Sequence, residues 1–155
     1  MDKALQVRRY KPTDRKQVYL VHKIALSQAG TYIKGKWDDD FKSVEETYLK
    51  DGEFLVGEYK GKIVAMGGLR RKDNDVGEIK RMRVLPKYQG RGFGQKILTL
   101  LENRARELGY KKLILDTTVK QPVAQNLYLK NGYKEVRRGT INVLNIENIY
   151  YDKNL

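Results

Sequence analysis

The chain has 155 residues, enough for one domain around a single hydrophobic core. It contains no cysteine, which excludes disulfides, thiolate metal sites and a cysteine nucleophile, and no metal cofactor is expected. The net charge of +13 suits either an anionic ligand steered in electrostatically or a nucleic acid, but the basic residues are scattered rather than clustered, and charge alone does not choose.

Leu5 to Tyr10 alternates in polarity and reads as a first strand. Met1-Asp2-Lys3 leads straight into it, and no apolar run approaches the roughly 20 residues of a membrane span, so a cytoplasmic protein with no membrane segment is expected. Pro12-Thr13-Asp14 supplies helix-start residues, and Val18, Val21, Ala25 and Leu26 then recur at helical spacing up to Gly30. The single histidine, His22, lies in this helix and is expected at its surface or boundary. Trp37-Asp38-Asp39-Asp40-Phe41 precedes a second helical stretch, Ser43 to Leu49, whose first turn would favour those carboxylates.

Glu53 to Tyr59 and Ile63 to Leu69 are strands joined by a short turn at Lys60-Gly61-Lys62. Gly67-Gly68 inside the second of them signals close approach of another group. In the next strand, Val76 to Leu85, Ile79, Met82 and Val84 should all face the core. The spacing of three from Ile79 to Met82 breaks strand alternation. One extra residue around Lys80-Arg81 restores it, which predicts a β-bulge with backbone N–H groups turned toward a ligand.

Gly90, Gly92 and Gly94 follow this strand, where a long amphipathic helix carrying Phe93, Ile97, Leu100, Leu101, Ala105 and Leu108 begins. The first N–H groups of a helix lack intrahelical partners, and glycine admits close approach of a ligand. The stretch therefore predicts an anion site suited to a pyrophosphate. It is neither a Walker A loop nor a G-x-G-x-x-G dinucleotide fingerprint. Lys112 to Val119 is an apolar strand, Pro122 opens a helix that Gly132 ends, and Tyr133 to Ile141 with Ile146 to Asp152 forms a closing hairpin.

Gln89-x-x-Gly92-x-Gly94, after a strand ending Arg83-Val84-Leu85-Pro86, resembles the acetyl-CoA loop of the GNAT superfamily of N-acetyltransferases. Ala124-Gln125-Asn126-Leu127-Tyr128, followed by Asn131-Gly132-Tyr133, is similar to a second segment of that family, and the resemblance covers nearly the whole chain. It implies one α/β domain over residues 1–155, with a central mixed, mostly antiparallel sheet flanked by helices. The sheet would be splayed between the fourth and fifth strands, Ile79–Val84 and Leu113–Val119. It implies acetyl-CoA as co-substrate, with Met82, Arg83 and Val84 along the pantetheine arm and Gln89, Gly90, Arg91, Gly92, Phe93, Gly94 and Gln95 around the pyrophosphate. Asn126 would lie near the arm or the sulfur, and Tyr128 would face the sulfur as the acid. Where many relatives have Asn seven residues before that tyrosine, this chain has Gln121.

Acetyl transfer to an amine needs a neutral amine, a stabilised carbonyl oxygen and a thiolate that can leave. An alkylamine of pKa near ~10 is neutral in only about one molecule in a thousand at neutral pH, so a base or a water relay helps. Glu78, just before the predicted bulge, is the first candidate base and Asp116 the second. Because the early helices of the family border the acceptor site, Trp37 and Asp38 are candidate acceptor-binding residues, set against the helix-start reading of the same carboxylates. The acceptor is expected to be a small-molecule or protein amine, and monomer and homodimer both stay open. Two other readings are a non-catalytic acyl-CoA-binding module and a basic RNA- or ribosome-associated protein. A nucleic-acid partner is disfavoured by the scattered charge.

Overall fold

The computed structural model describes residues 4–30, 40–141 and 145–155. Trp37, Asp38 and Asp39 lie outside them. The elements run β1 (Gln6–Arg9), α1 (Arg15–Gln28), a π-helical turn (Glu45–Leu49), β2 (Glu53–Tyr59), β3 (Lys62–Arg71), β4 (Val76–Val84), α2 (Phe93–Glu107), β5 (Lys112–Thr118), α3 (Pro122–Lys130), β6 (Lys134–Ile141) and β7 (Ile146–Asn154). The strands form one sheet in the order β1-β2-β3-β4-β5-β7-β6. Every neighbouring pair is antiparallel except β4 and β5. No helix among the described residues is long and apolar enough to cross a membrane.

The parallel pair is short. It joins Val76–Lys112, Gly77–Leu113 and Glu78–Ile114 and stops there, although β4 continues to Val84 and β5 to Thr118. Beyond Glu78 the two strands diverge and leave a cleft in mid-sheet. The expected splay is therefore present, at the expected pair of strands.

Two helices cover opposite faces. On one, α2 buries Ile97, Leu98, Leu101 and Ala105, the stripe its 3.6-residue period presents. The fit demands glycine beneath it, because a Cβ on Gly67 would sit 2.5 Å from the Met82 sulfur and 2.8 Å from Ile97. On the other face a Cβ on Gly68 would meet Tyr48 and Phe54. The close approach expected at Gly67-Gly68 thus comes from both sides of the sheet.

His22 is a correction. It is fully buried rather than at the surface, with its ring 4.7 Å from that of Phe41, because α1 turns Val18, Val21, His22 and Ala25 inward together. Burial, then the charges of Arg83 and Arg81, push its pKa down to about 3. An unfolded histidine titrates near ~6.5. Between those values the unfolded chain takes up a proton that the folded one refuses, so this group's stability contribution is present above about 6.5 and lost as pH falls toward 3. Wild type should therefore lose stability more steeply than His22→Gln as pH drops through that window, by no more than about 5 kcal/mol at the limit, and its melting temperature should fall accordingly. Parallel pH–melting curves for the two proteins would exclude this assignment.

Candidate active site

A groove of about 600 Å³ runs from the start of α2 into the β4–β5 cleft, bounded by α1 at Ala25, Gln28 and Ala29, by Met82 to Val84, by the glycine turn and by α3. At its outer end Gly92 takes φ +82° as the N-cap of α2 and Gly90 takes φ +78°. A Cβ at either would meet nothing within 4 Å, so the space above them is open. Among the described residues, none of the backbone N–H groups from Gly90 to Gln95 finds an acceptor. Open space over unpaired N–H groups at a helix start fits a pyrophosphate.

The bulge closes the inner end. β3 and β4 pair at Met66–Arg83 and again at Gly68–Lys80, so Arg81 and Met82 together face Gly67. Arg81 carries the extra residue's geometry at φ +60°, a left-handed conformation that costs a non-glycine residue roughly 1–2 kcal/mol. Its side chain is held on both sides. Nε and Nη2 donate to the two Asp40 oxygens at 2.9 and 2.7 Å, and the guanidinium lies 5.1 Å from the Phe41 ring centre. The Tyr48 hydroxyl donates to Asp40 as well. Burial alone would raise the Asp40 pKa, but Arg81 and Tyr48 outweigh it and hold the carboxyl below its usual range. Asp40 is therefore a clamp on the bulge rather than an open carboxylate for an incoming amine, and it also lies in a short 3-10 turn over residues 40–42, ahead of the π-helical turn.

Tyr128 lies across the cleft on α3. Its position follows from local sequence: Gly132 adopts φ +87°, and the Tyr133 and Gly132 N–H groups turn back to the carbonyls of Tyr128 and Leu129 at 3.0 and 3.2 Å. That reversal is a Schellman ending, and it folds Tyr133 onto Tyr128 with ring centres 5.8 Å apart. Tyr128 is 4 % exposed and lines the groove, and its hydroxyl has no hydrogen-bond partner among the described residues. By contrast, the hydroxyls of Tyr48, Tyr110 and Tyr133 are all bonded internally. Burial pushes the Tyr128 pKa up to about 12, against the opposing charge of Arg83.

A sequence model of the acetyltransferase (GNAT) family matches residues 20–133. The chain belongs to the GNAT acetyltransferase family. It is 30% identical over 103 residues to YjgM, an uncharacterised N-acetyltransferase of Escherichia coli K12. That match covers 64% of this chain and 62% of the relative, so less than two thirds of the curated protein is spanned. A GNAT-family acetyltransferase from Staphylococcus aureus Mu50 has the same fold, with a TM-score of 0.87 at 25% identity over 98% of this chain and 99% of that one. YncA of Salmonella typhimurium, whose structure includes its cofactor acetyl-CoA, is similar in fold at a TM-score of 0.80 and 17% identity, over 99% and 95% of the two chains.

Within this GNAT fold most of the expected site residues meet at one groove. Met82, Arg83, Val84, Gln89, Gly90, Gly92, Phe93, Gly94, Gln95, Asn126 and Tyr128 all line it. Several of their side chains are already engaged. The Gln89 amide donates to the Val84 carbonyl at 3.0 Å, and Gln95 and Asn131 exchange hydrogen bonds at 2.8 Å, so both glutamines brace the loop. Gln121 also lines the groove, but its carbonyl oxygen accepts from the Thr117 and Thr118 hydroxyls at 3.2 and 3.0 Å. Two expected residues are placed elsewhere. The Arg91 guanidinium lies 5.7 and 5.4 Å from the Tyr59 and Tyr88 ring centres, outside the groove lining. Glu78 is buried beside the last β4–β5 rung, its Oε1 accepting from Arg70 Nε at 2.7 Å, and it does not line the groove either.

Sequence reasoning missed the α1 wall and the Asp40–Arg81–Phe41 clamp. Ala25 and Ala29, one helical turn apart, leave room where larger residues would fill the groove, which was a signal available in the sequence. The clamp joins residues 41 positions apart, and nothing local encodes that.

Proposed function

We propose that the protein transfers the acetyl group of acetyl-CoA to a primary amine by direct attack within a ternary complex. The observation that carries this reading is Tyr128: a largely buried side chain lining a groove that ends on the bulge, with no hydrogen-bond partner for its hydroxyl among the described residues. Acetyl-CoA, when bound, supplies an acyl thioester open to attack by an amine. The N–H groups from Gly90 to Gln95 would hold its pyrophosphate, and Met82 to Val84 would run along its pantetheine arm. A backbone N–H at the bulge, near Met82, would donate to the carbonyl oxygen as negative charge grows there.

Glu78 is the proposed base. Arg70 takes its Oε1, while Oε2 makes no hydrogen bond among the described residues and is free to draw a proton from the ammonium through water. Tyr128 acts at the departing sulfur. With its pKa near 12, its phenol stays protonated at neutral pH, so it serves as a hydrogen-bond donor. Complete transfer of that proton to a thiolate of pKa near ~8.5 would be uphill by roughly 5 kcal/mol. Without cysteine, a covalent acetyl–cysteine enzyme is not available.

A panel of amines assayed by free-thiol release from acetyl-CoA tests this. At least one amine should be acetylated, with lines that intersect when both substrates are varied. Acetyl-CoA binding with no turnover on any amine would leave an acyl-CoA-binding module instead. Salt-dependent polynucleotide binding that acetyl-CoA does not affect would favour the RNA-associated reading.

A further inference from the structure

The cleft carries an excess of cations on the side turned away from α2. The Met82 sulfur lies on the α2 side, near where a Cβ of Gly67 would be. Lys80 pairs with Gly68, whose Cβ direction meets Tyr48 and Phe54, so Lys80 projects from the opposite face, with Glu78 and Arg70. The Arg81 guanidinium lies over Phe41 against Asp40, and Arg83 feels Arg81, Tyr128, Asp116 and Tyr48. Two of these cations have their own carboxylates: Arg81 has Asp40, and Arg70 has Glu78.

The other two do not. Lys80 is half-buried and has no hydrogen-bond or ion-pair partner among the described residues. Arg83 spends Nη1 on the carbonyl of its neighbour Met82 at 2.8 Å, and its Nε is buried with no partner. Removing a cation from water without an anion beside it is costly. Accordingly, burial pulls the Lys80 pKa down and brings that of Arg83 to about 10. Asp116, across the splay, is felt by both, but it is exposed and accepts a hydrogen bond from Asn148. The anion these cations lack is not a CoA phosphate. The phosphate cradle is at the outer end of the groove, whereas Arg83 is at the inner end with Tyr128.

We propose that the acceptor amine itself carries an acidic group, a carboxylate or a phosphonate, and that Lys80 and Arg83 hold this group in the cleft on the face away from α2. The inference rests on the transferase reading and narrows it. Asp116 gives the cleft an opposite pole, so an acceptor with an ammonium and an acid on one short skeleton matches the charges present. A plain polyamine would add positive charge where positive charge is already in excess.

The test uses acceptors matched in shape: an amino acid against its amide, and an aminoalkylphosphonate against its diester. In wild type the acid of at least one pair should exceed its neutral partner in kcat/KM by ~10-fold or more, the size of one charge-assisted hydrogen bond. The pair that responds identifies carboxylate or phosphonate. In Lys80→Met that ratio should fall toward one, and Lys80→Arg should retain most of it. Calorimetry of the preferred acid on the CoA-bound protein should show the same loss of affinity in Lys80→Met, independent of turnover. Turnover with equal rates for acid and neutral partners overturns this inference alone and leaves the transferase intact. So does an acid preference that survives Lys80→Met. If no amine is acetylated, the transferase reading falls and this one falls with it.

Discussion

Tyr128→Phe is expected to lower kcat by ~10–1000-fold while leaving acetyl-CoA affinity and melting temperature nearly unchanged. The substitution keeps the ring, and with it the contacts to Tyr133 and Tyr151 at centre-to-centre distances of 5.8 and 6.1 Å. The hydroxyl it removes has no internal partner to abandon, so little stability should be lost. What disappears is a donor that burial keeps protonated, with a pKa near 12. Pre-steady-state thiol release measures the chemical step directly. A wild-type rate in that step would remove Tyr128 from the catalytic assignment and leave it as a packing residue beside Tyr133.

Gly92→Asp should weaken acetyl-CoA binding by at least ~100-fold, or roughly 2.7 kcal/mol. Two effects contribute. A carboxylate would project into the open space above the turn, where the unpaired N–H groups from Gly90 to Gln95 favour an anion from outside. The φ of +82° also becomes strained once a Cβ is present, at about 1 kcal/mol. Gly92→Ala separates them, because it carries the strain without the charge. Calorimetry should place alanine between wild type and aspartate. A folded aspartate variant with unchanged affinity would show that the pyrophosphate lies elsewhere.

Much of this architecture was legible because it rests on local chemistry. The bulge could be read from Ile79, Met82 and Val84, since a core face missing one step of alternation has few other remedies. The glycine turn and the Asn131-Gly132-Tyr133 ending are likewise local. His22 was misread because position in a helix does not reveal what packs over it, and here Phe41 closes that side. The helix-start pattern around Asp40 is local, but its pairing with Arg81 is not, because that partner comes from a distant strand. Arg91 stands beside the right glycines, but its side chain follows two aromatic rings instead. Backbone features were thus easier to read than side-chain destinations.

The brevity of the β4–β5 pairing has a mechanical consequence. Three rungs join a four-stranded half, β1 to β4, to a three-stranded half, β5 to β7. Past Glu78 the facing strand edges are held apart by the framework around them, not by each other. A molecule lodged between those edges acts as a tie between the halves, so its binding energy is expressed as cohesion of the whole sheet. By mass action a tie present at a hundredfold over its dissociation constant adds about 2.7 kcal/mol to global stability. Melting temperature is therefore a sensitive gauge of whether anything occupies the cleft, because a molecule lodged there would strengthen the sheet along its weakest seam.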